Sequence, residues 1–534
     1  MTMAVTHIRR GALAHADRPA VYFGDDVLTF REVNDRANLI SHRLLEAGVS
    51  KGTHVALLVN NGLDSVPMEF AAIKTGLVRV PLNARLSLDE HAAMIVGSHA
   101  TVVVADASLI DRAVALRELH PELTVLGLRT AAPGGDLLAA TDETVGEPEV
   151  DLRPEDPTLM LYTSGTTGTL KAVIHTQGSY GAVCANILAN LLDPQPDSVM
   201  VHAASLIHAS GTFVLPYWIR GGASAILPGF DPAGFADAIG RYRATEINLV
   251  PTMFAMLLNA GVLADADLSS LRKVIYGASP MPKPVLERSI EAFGPILTQY
   301  YGQTEAPLVI AALDEHAHAD RSLWGACGLP SCDVELKLLD EDGIEVPAGE
   351  IGEITLRAPF QMAGYFESAE LNAATFTDDG WIRTRDLARF DDRGYLFLVD
   401  RTSDMIITGG YNVYPREVED ALSSHPAVAE CAVVGAPDDQ WVEAVTAFVT
   451  TVPGSEVGER ELIEHVRARI AAHKAPKSVR FVESIPKSAV GKLLRRALRE
   501  PLWADRTEQD QTDQDQPSQD QPGRDQTRQN EENR

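Results

Sequence analysis

The stretch YTSGTTGTLKAV, residues 162–173, constrains this chain more than any other, because it is poor in large side chains and rich in backbone donors. Gly165 and Gly168 allow a sharp turn and a close approach of backbone to ligand. Thr163, Ser164, Thr166, Thr167 and Thr169 offer hydroxyls and Lys171 a cation, a composition suited to cradling phosphate. The spacing is not that of the G-x-x-x-x-G-K-[ST] loop, and the flanks TLMLYT and AVIHT both read as strands. The loop therefore closes a strand pair, with no helix dipole to help hold the anion. A Ser/Thr/Gly hairpin without a ligand is the competing view; two glycines, the run of hydroxyls and the lysine argue against it.

At 534 residues the chain exceeds what one hydrophobic core supports, so at least two domains are expected. Hydrophobic residues at 45% and charged residues at 22% are those of a soluble globular protein. No apolar run reaches membrane-spanning length, and MTMAVTHIRR has no hydrophobic signal core, so a cytoplasmic location is expected. Acidic residues outnumber basic ones 74 to 46, and a net charge of −28 disfavours non-specific contact with nucleic acid or anionic lipid. Cys184, Cys327, Cys332 and Cys431 are scattered without a C-x-x-C pair, which predicts buried thiols and no disulfide framework or zinc site.

Along residues 26–58, DVLTF precedes Val33, Ala37, Ile40, Leu44 and Leu45 at helical spacing, then the apolar strand VALLV. The helix SVPMEFAAIKTG, the segment VRVPLNARL and the strand TVVVAD follow, and this alternation indicates layered α/β structure. From 155 to 310 the alternation carries most of the unusual polar residues. SLIHASG places His208 beside apolar residues; a lone histidine there is more often a core residue than a catalyst, so it is read as a candidate pocket wall. KVIYGASPMP reads as a strand running into a turn at Gly277, Ala278 and Ser279, and ILTQYYGQTEA as a strand ending at an aromatic before Gly302, Gln303, Thr304 and Glu305. Two such strands place polar groups at one sheet edge, where α/β proteins bind ligands. Tyr300 or Tyr301 is placed to stack on a base, and Glu305 to hold Mg²⁺ by a carboxylate oxygen.

Residues 328–400 look mostly β, with hairpin signals at DEDG and DDRG, and GWIRTRDLARF sets Asp386 among basic and apolar neighbours. At DRTSDMIITGGYNVYPREVE the texture changes to a charged turn, a short strand, Gly409 and Gly410, and a helix starting at Pro415. The domain boundary is placed there, giving domains 1–402 and 403–504. From Asp505 onward nine acidic and four basic residues occur with no aliphatic or aromatic residue, so 505–534 is expected to be a disordered acidic tail.

These segments, in this order from about residue 20 to 500, resemble the adenylate-forming superfamily that includes acyl-CoA synthetases, peptide-synthetase adenylation domains and beetle luciferases. YTSGTTGTLKAV resembles the family's phosphate loop, YGASP and YYGQTEA its nucleotide motifs, and GWIRTRDL its ribose motif. DRTSDMIITGGYNVYPREVE resembles the hinge segment, and PKSAVGKLLRR the loop with the catalytic lysine. The resemblance implies an α/β fold: a large N-terminal layered α/β domain with a β-rich subdomain, and a small mobile α+β C-terminal domain. It implies that Tyr301 stacks on adenine, that Asp386 and Arg401 bind the ribose, that Thr304 contacts the α-phosphate and that Glu305 lies beside Mg²⁺. His208 and Gly277 to Ser279 would border the acyl pocket, and Lys492 would reach the carboxylate and α-phosphate. The implied activity is ligation of a hydrophobic carboxylic acid to CoA through an acyl adenylate made from ATP. Between the two steps the small domain alternates, exchanging the lysine loop for the Gly409–Gly410 segment.

The sequence departs from the family pattern at Leu170 and Ala172, which flank Lys171 where proline and glycine are usual, at Arg385 where glycine precedes the aspartate, and at Ser403 in the hinge. A cation at 385 that paired with Asp386 or crowded the ribose would weaken adenylation, which leaves a protein acting mainly on a preformed acyl adenylate as one alternative. The phosphopantetheine arm of a carrier protein is an alternative acceptor to CoA. A non-catalytic nucleotide-binding protein is the alternative from another class, and Lys492 in its expected loop argues against it. No lysine or arginine is visible to grip a second carboxylate.

Overall fold

The structure, a computed structural model, describes residues 2–140, 145–164, 170–409, 411–438, 440–487 and 493–514, with backbone alone at 164 and 505–514. The chain divides into two compact units, Met1–Asp404 with Lys487–Lys492, and Met405–Pro486 with the chain from Leu493. The division falls after Asp404, where the sequence placed it after 402.

In the first unit one sheet is built around the parallel strands His54–Leu58, Val78–Pro81 and Val102–Asp106, whose near-continuous apolar runs suit strands covered on both faces. The helix Phe30–Glu46 packs over it. Thr29 caps that helix and Glu32 closes the capping box, and Val33, Ala37, Ile40 and Leu44 form its buried stripe. The antiparallel pair Pro157–Ser164 and Leu170–Thr176 continues the sheet, with Thr163 opposite Lys171 and Ser164 opposite Leu170. The predicted strand, loop, strand arrangement is therefore present at its two ends; Gly165 to Thr169 lie outside the described residues. A two-residue strand, Gly364–Tyr365, completes that edge by pairing with Val173 and Ile174.

The second sheet runs parallel through Val199–His202, Glu246–Leu249, Lys273–Gly277 and Leu297–Gln303. Lys273–Gly277 and Leu297–Gln303 are neighbours, with Gly277 opposite Tyr300, so the two nucleotide-like motifs emerge side by side. The sequence expectation that the second strand stops at its aromatic pair is corrected. The strand continues through Gly302 to Gln303 and hairpins into Ala306–Leu313. A Cβ at Gly302 would lie 2.5–2.7 Å from Leu308 backbone atoms, and Leu308 itself has φ +66°, so only glycine lets the hairpin close this tightly.

Four antiparallel strands, Glu335–Leu339, Gly352–Arg357, Ile382–Phe390 and Leu396–Arg401, form the β-rich part, and DDRG turns between the last two. That register sets Asp386 directly opposite Arg401. Asp386 thus sits in a strand and not at a turn.

The second unit has its own sheet, dominated by the hairpin Val428–Asp438 and Val442–Thr451, with the helices Pro415–Ser423 and Glu459–Arg467 packed through Val418, Leu422, Leu462 and Val466. Arg495–Gln514 is helical, so residues 505–514 depart from the disorder expected of them. Leu498 and Leu502 are buried against Ala432, Val434 and Phe448, and Trp503 Nε1 donates to the Gly435 carbonyl. Once those turns are nucleated, extension through a polar segment costs little. Residues 515–534 lie outside the described residues.

Candidate active site

One cavity in the first unit gathers residues from separate motifs. His208, Ala278, Tyr300, Gly302, Gln303 and Thr304 all line it, among apolar side chains that include Leu57, Val59, Leu159 and Leu206. Each is placed by its element. Ala278 follows the end of Lys273–Gly277 in a left-handed conformation, φ +69°, and Thr304 sits in the turn between Leu297–Gln303 and Ala306–Leu313. Ser279 follows, half-buried, and a Cβ on Gly277 would strike the Tyr300 carbonyl at 2.4 Å. Gln303 Nε2 is buried without a hydrogen-bond partner among the described residues, a donor a ligand could satisfy.

Two histidines are fixed from outside the motifs. Asn83 Nδ2 donates to His208 Nε2 at 3.1 Å, and Asn83 is itself held by His91 Nε2, which donates to its carbonyl at 2.8 Å. His175, 1% exposed, donates from Nε2 to the Thr304 carbonyl at 2.8 Å. Burial pushes the His175 imidazole down to about 4, so it stays neutral near pH 7 and acts as a fixed donor that positions the Thr304 turn.

A second group forms beyond the cavity. The Tyr301 hydroxyl donates to Asp386 Oδ2 at 2.6 Å, and Arg401 Nε donates to Asp386 Oδ1 at 3.0 Å. Burial, then the adjacent Asp386 carboxylate, push the Tyr301 phenol well above its ordinary range. The three residues assigned to adenine and ribose are thus bonded to one another. Arg385 does not pair with Asp386, one of the two ways in which a cation there could have weakened the site. Its guanidinium donates to the Ala374 carbonyl at 2.9 Å, and its φ of +65° accounts for the glycine usual at that position. Ser403 Oγ donates to Asp404 at 3.2 Å.

Glu305 Oε1 accepts from the Tyr365 hydroxyl at 2.6 Å, and Lys171 Nζ lies 5.7 Å from the Tyr365 ring centre. Tyr365 therefore links the phosphate-loop lysine to the acidic residue. Gly409 lies in the second unit, with φ +58° and its N–H donating to the Trp441 carbonyl at 2.8 Å. Gly165, Thr166, Thr167, Gly168, Gly410 and Lys492 lie outside the described residues.

Sequence reasoning missed Tyr365, Asn83, His175 and, at the cavity, Arg79 with Glu69 and Tyr180. Arg79 lines this cavity, where the sequence showed no lysine or arginine to grip a second carboxylate. A signal existed: a charge in the middle of the buried run VRVP has no solvent to face and needs a partner.

Residues 8–366 match the family described as AMP-binding enzyme, and residues 417–492 match the AMP-binding enzyme C-terminal domain. The chain is 36% identical over 515 residues to the medium/long-chain-fatty-acid–CoA ligase FadD8 of Mycobacterium tuberculosis, covering 93% of this chain and 90% of that protein. It is also 36% identical over 495 residues to a feruloyl-CoA synthase of an Amycolatopsis species, covering 92% and 97%. The solved structure of the amide bond synthetase McbA from Marinactinospora thermotolerans aligns with a TM-score of 0.87 at 32% identity, covering 93% of this chain and 99% of that one. With both regions matched and the motif residues gathered on one cavity and one bonded group, the chain belongs to the AMP-binding enzyme family, in the adenylate-forming superfamily of acyl-CoA synthetases.

Proposed function

We propose that this chain activates a carboxylic acid with an apolar body as its acyl adenylate and transfers the acyl group to the thiol of CoA. The support is the cavity, where His208, Ala278, and Tyr300 with Thr304, from three separate segments, meet among aliphatic side chains. In the first step a carboxylate oxygen attacks the α-phosphorus of ATP and pyrophosphate leaves. Two anions meet there, so fixed donors and cations must face the developing charge. Thr304 supplies a hydroxyl, and Lys171 and Lys492 the cations. In the second step the thiol sulfur attacks the acyl carbonyl carbon, AMP leaves, and the thiol proton is lost.

Glu305 suits a magnesium ion held on the nucleotide, because such ions take one or two carboxylates and draw their remaining ligands from phosphate and water. Its bond to Tyr365 falls on Oε1, and no cluster of three or more His, Cys, Asp or Glu side chains that could hold a metal occurs among the described residues. When bound, the ion would neutralise phosphate charge. Arg385 donates to the Ala374 carbonyl and not to Asp386, which supports assigning both steps to this chain.

The test is incubation of the full chain with ATP, Mg²⁺, CoA and a chemically wide acid panel, reading pyrophosphate exchange and thioester mass. Acid-dependent exchange followed by an acyl-CoA product is expected. Folded protein that gives neither with any acid would sink the proposal, and product only with carrier protein in place of CoA would change the acceptor.

A further inference from the structure

Arg79, in the strand Val78–Pro81, is 4% exposed and lines the cavity together with Glu69 and Tyr180. Nη1 pairs with Glu69 of the helix Ser65–Thr75, and Nε donates to the Thr158 carbonyl at 3.2 Å. The guanidinium carbon lies 4.8 Å from the Tyr180 ring centre. The Tyr180 hydroxyl donates to Glu69 Oε1 at 2.7 Å, so both hydrogen bonds that Glu69 accepts among the described residues fall on that one oxygen. Arg79 Nη2 is buried with no hydrogen-bond partner among the described residues.

Neither step of acyl transfer uses this pair, and a buried donor without an acceptor is costly to keep. Its charge balance limits what could satisfy it. Arg79 and Glu69 cancel, and the nearby His175 and Tyr180 are neutral, so a second carboxylate would bring an uncompensated charge next to Glu69. An alkyl end would leave Nη2 unmatched. A hydroxyl fits both needs, since its oxygen accepts from Nη2 and its proton can be given to Glu69 Oε2.

We propose that Arg79 and Glu69 are specificity determinants that hold a neutral hydroxyl group of the acid, making the substrate a hydroxylated acid with an otherwise apolar body. The assignment rests on the ligase proposal in treating this cavity as the acid's. A site built to bond a hydroxyl rejects the analogue lacking it, because its own buried groups are then left unpaired.

The test is equilibrium dialysis of the full chain against matched pairs: para-hydroxycinnamic with cinnamic acid, and ω-hydroxydecanoic with decanoic acid, with sebacic acid as the anionic control. In at least one pair the hydroxylated member should bind about tenfold or more tighter than its parent and than sebacic acid. In Arg79→Met, shown folded by circular dichroism, that preference should vanish. Equal binding, or no binding, across both pairs by the unaltered chain overturns the assignment, as does an unchanged preference in folded Arg79→Met or tighter binding of sebacic acid. Because dialysis reads binding alone, selective binding without thioester formation counts against the ligase proposal only, and turnover indifferent to the hydroxyl counts against this assignment only.

Discussion

Asp386 accepts from the Tyr301 hydroxyl and from Arg401 Nε, while its own side chain is 7% exposed. Asp386→Asn keeps the size but removes the charge that holds both donors, so the KM for ATP in pyrophosphate exchange should rise about tenfold, the effect of losing a charge-assisted hydrogen bond. Arg385, one residue earlier, is exposed and donates to the Ala374 carbonyl, and Arg385→Gly should leave the same KM within about twofold, as expected of a surface change. A large drop in that KM would show that the arginine obstructs nucleotide after all. The motif was legible as a string, and Asp386 and Arg401 were named from it, but where the Arg385 side chain goes was not. Its course is set by the left-handed conformation at 385, next to the pairing of 386 with 401 across the hairpin.

Long strands and helices were readable because their apolar spacing is local. The two-residue strand Gly364–Tyr365 was not, since nothing within it signals pairing with Leu170–Thr176 almost two hundred residues earlier. The same strand, Leu170–Thr176, carries His175, whose bond to the Thr304 carbonyl joins the two large sheets next to the cavity. Its imidazole is held down to about 4 from an ordinary 6.5, first by burial and also by the Arg79 charge. The unfolded chain therefore binds a proton there at a pH where the folded chain does not. Stability from this group is complete above pH 6.5 and is lost as the pH falls toward 4. His175→Gln can still donate to Thr304, so its thermal midpoint should fall less than that of the parent chain over this window. His202, held down to about 4 by burial in the same sheet as Leu297–Gln303, keeps its own contribution in both proteins.

At the scale of the whole molecule, the hydrophobic clusters segregate by unit, with Val418, Leu422, Val433, Leu462 and Val466 in a core confined to the second. Composition and length led to an expectation of two domains, and the change of texture near residue 401 to a boundary after 402, while the compact units part after Asp404. Leu422 is fully buried, so Leu422→Ala should destabilise the smaller unit by about 3 kcal/mol. Scanning calorimetry should show one transition moving down while that of the larger unit stays in place. The residues lining the cavity proposed to hold the acid all lie between Leu57 and Leu308, within the larger unit. On the proposed assignment, a chain crippled in its smaller core would keep its acid site and go on sequestering substrate while releasing no product. Co-expressed with the intact protein it would behave as a sponge, and its harm would grow with its abundance and not with its lost activity.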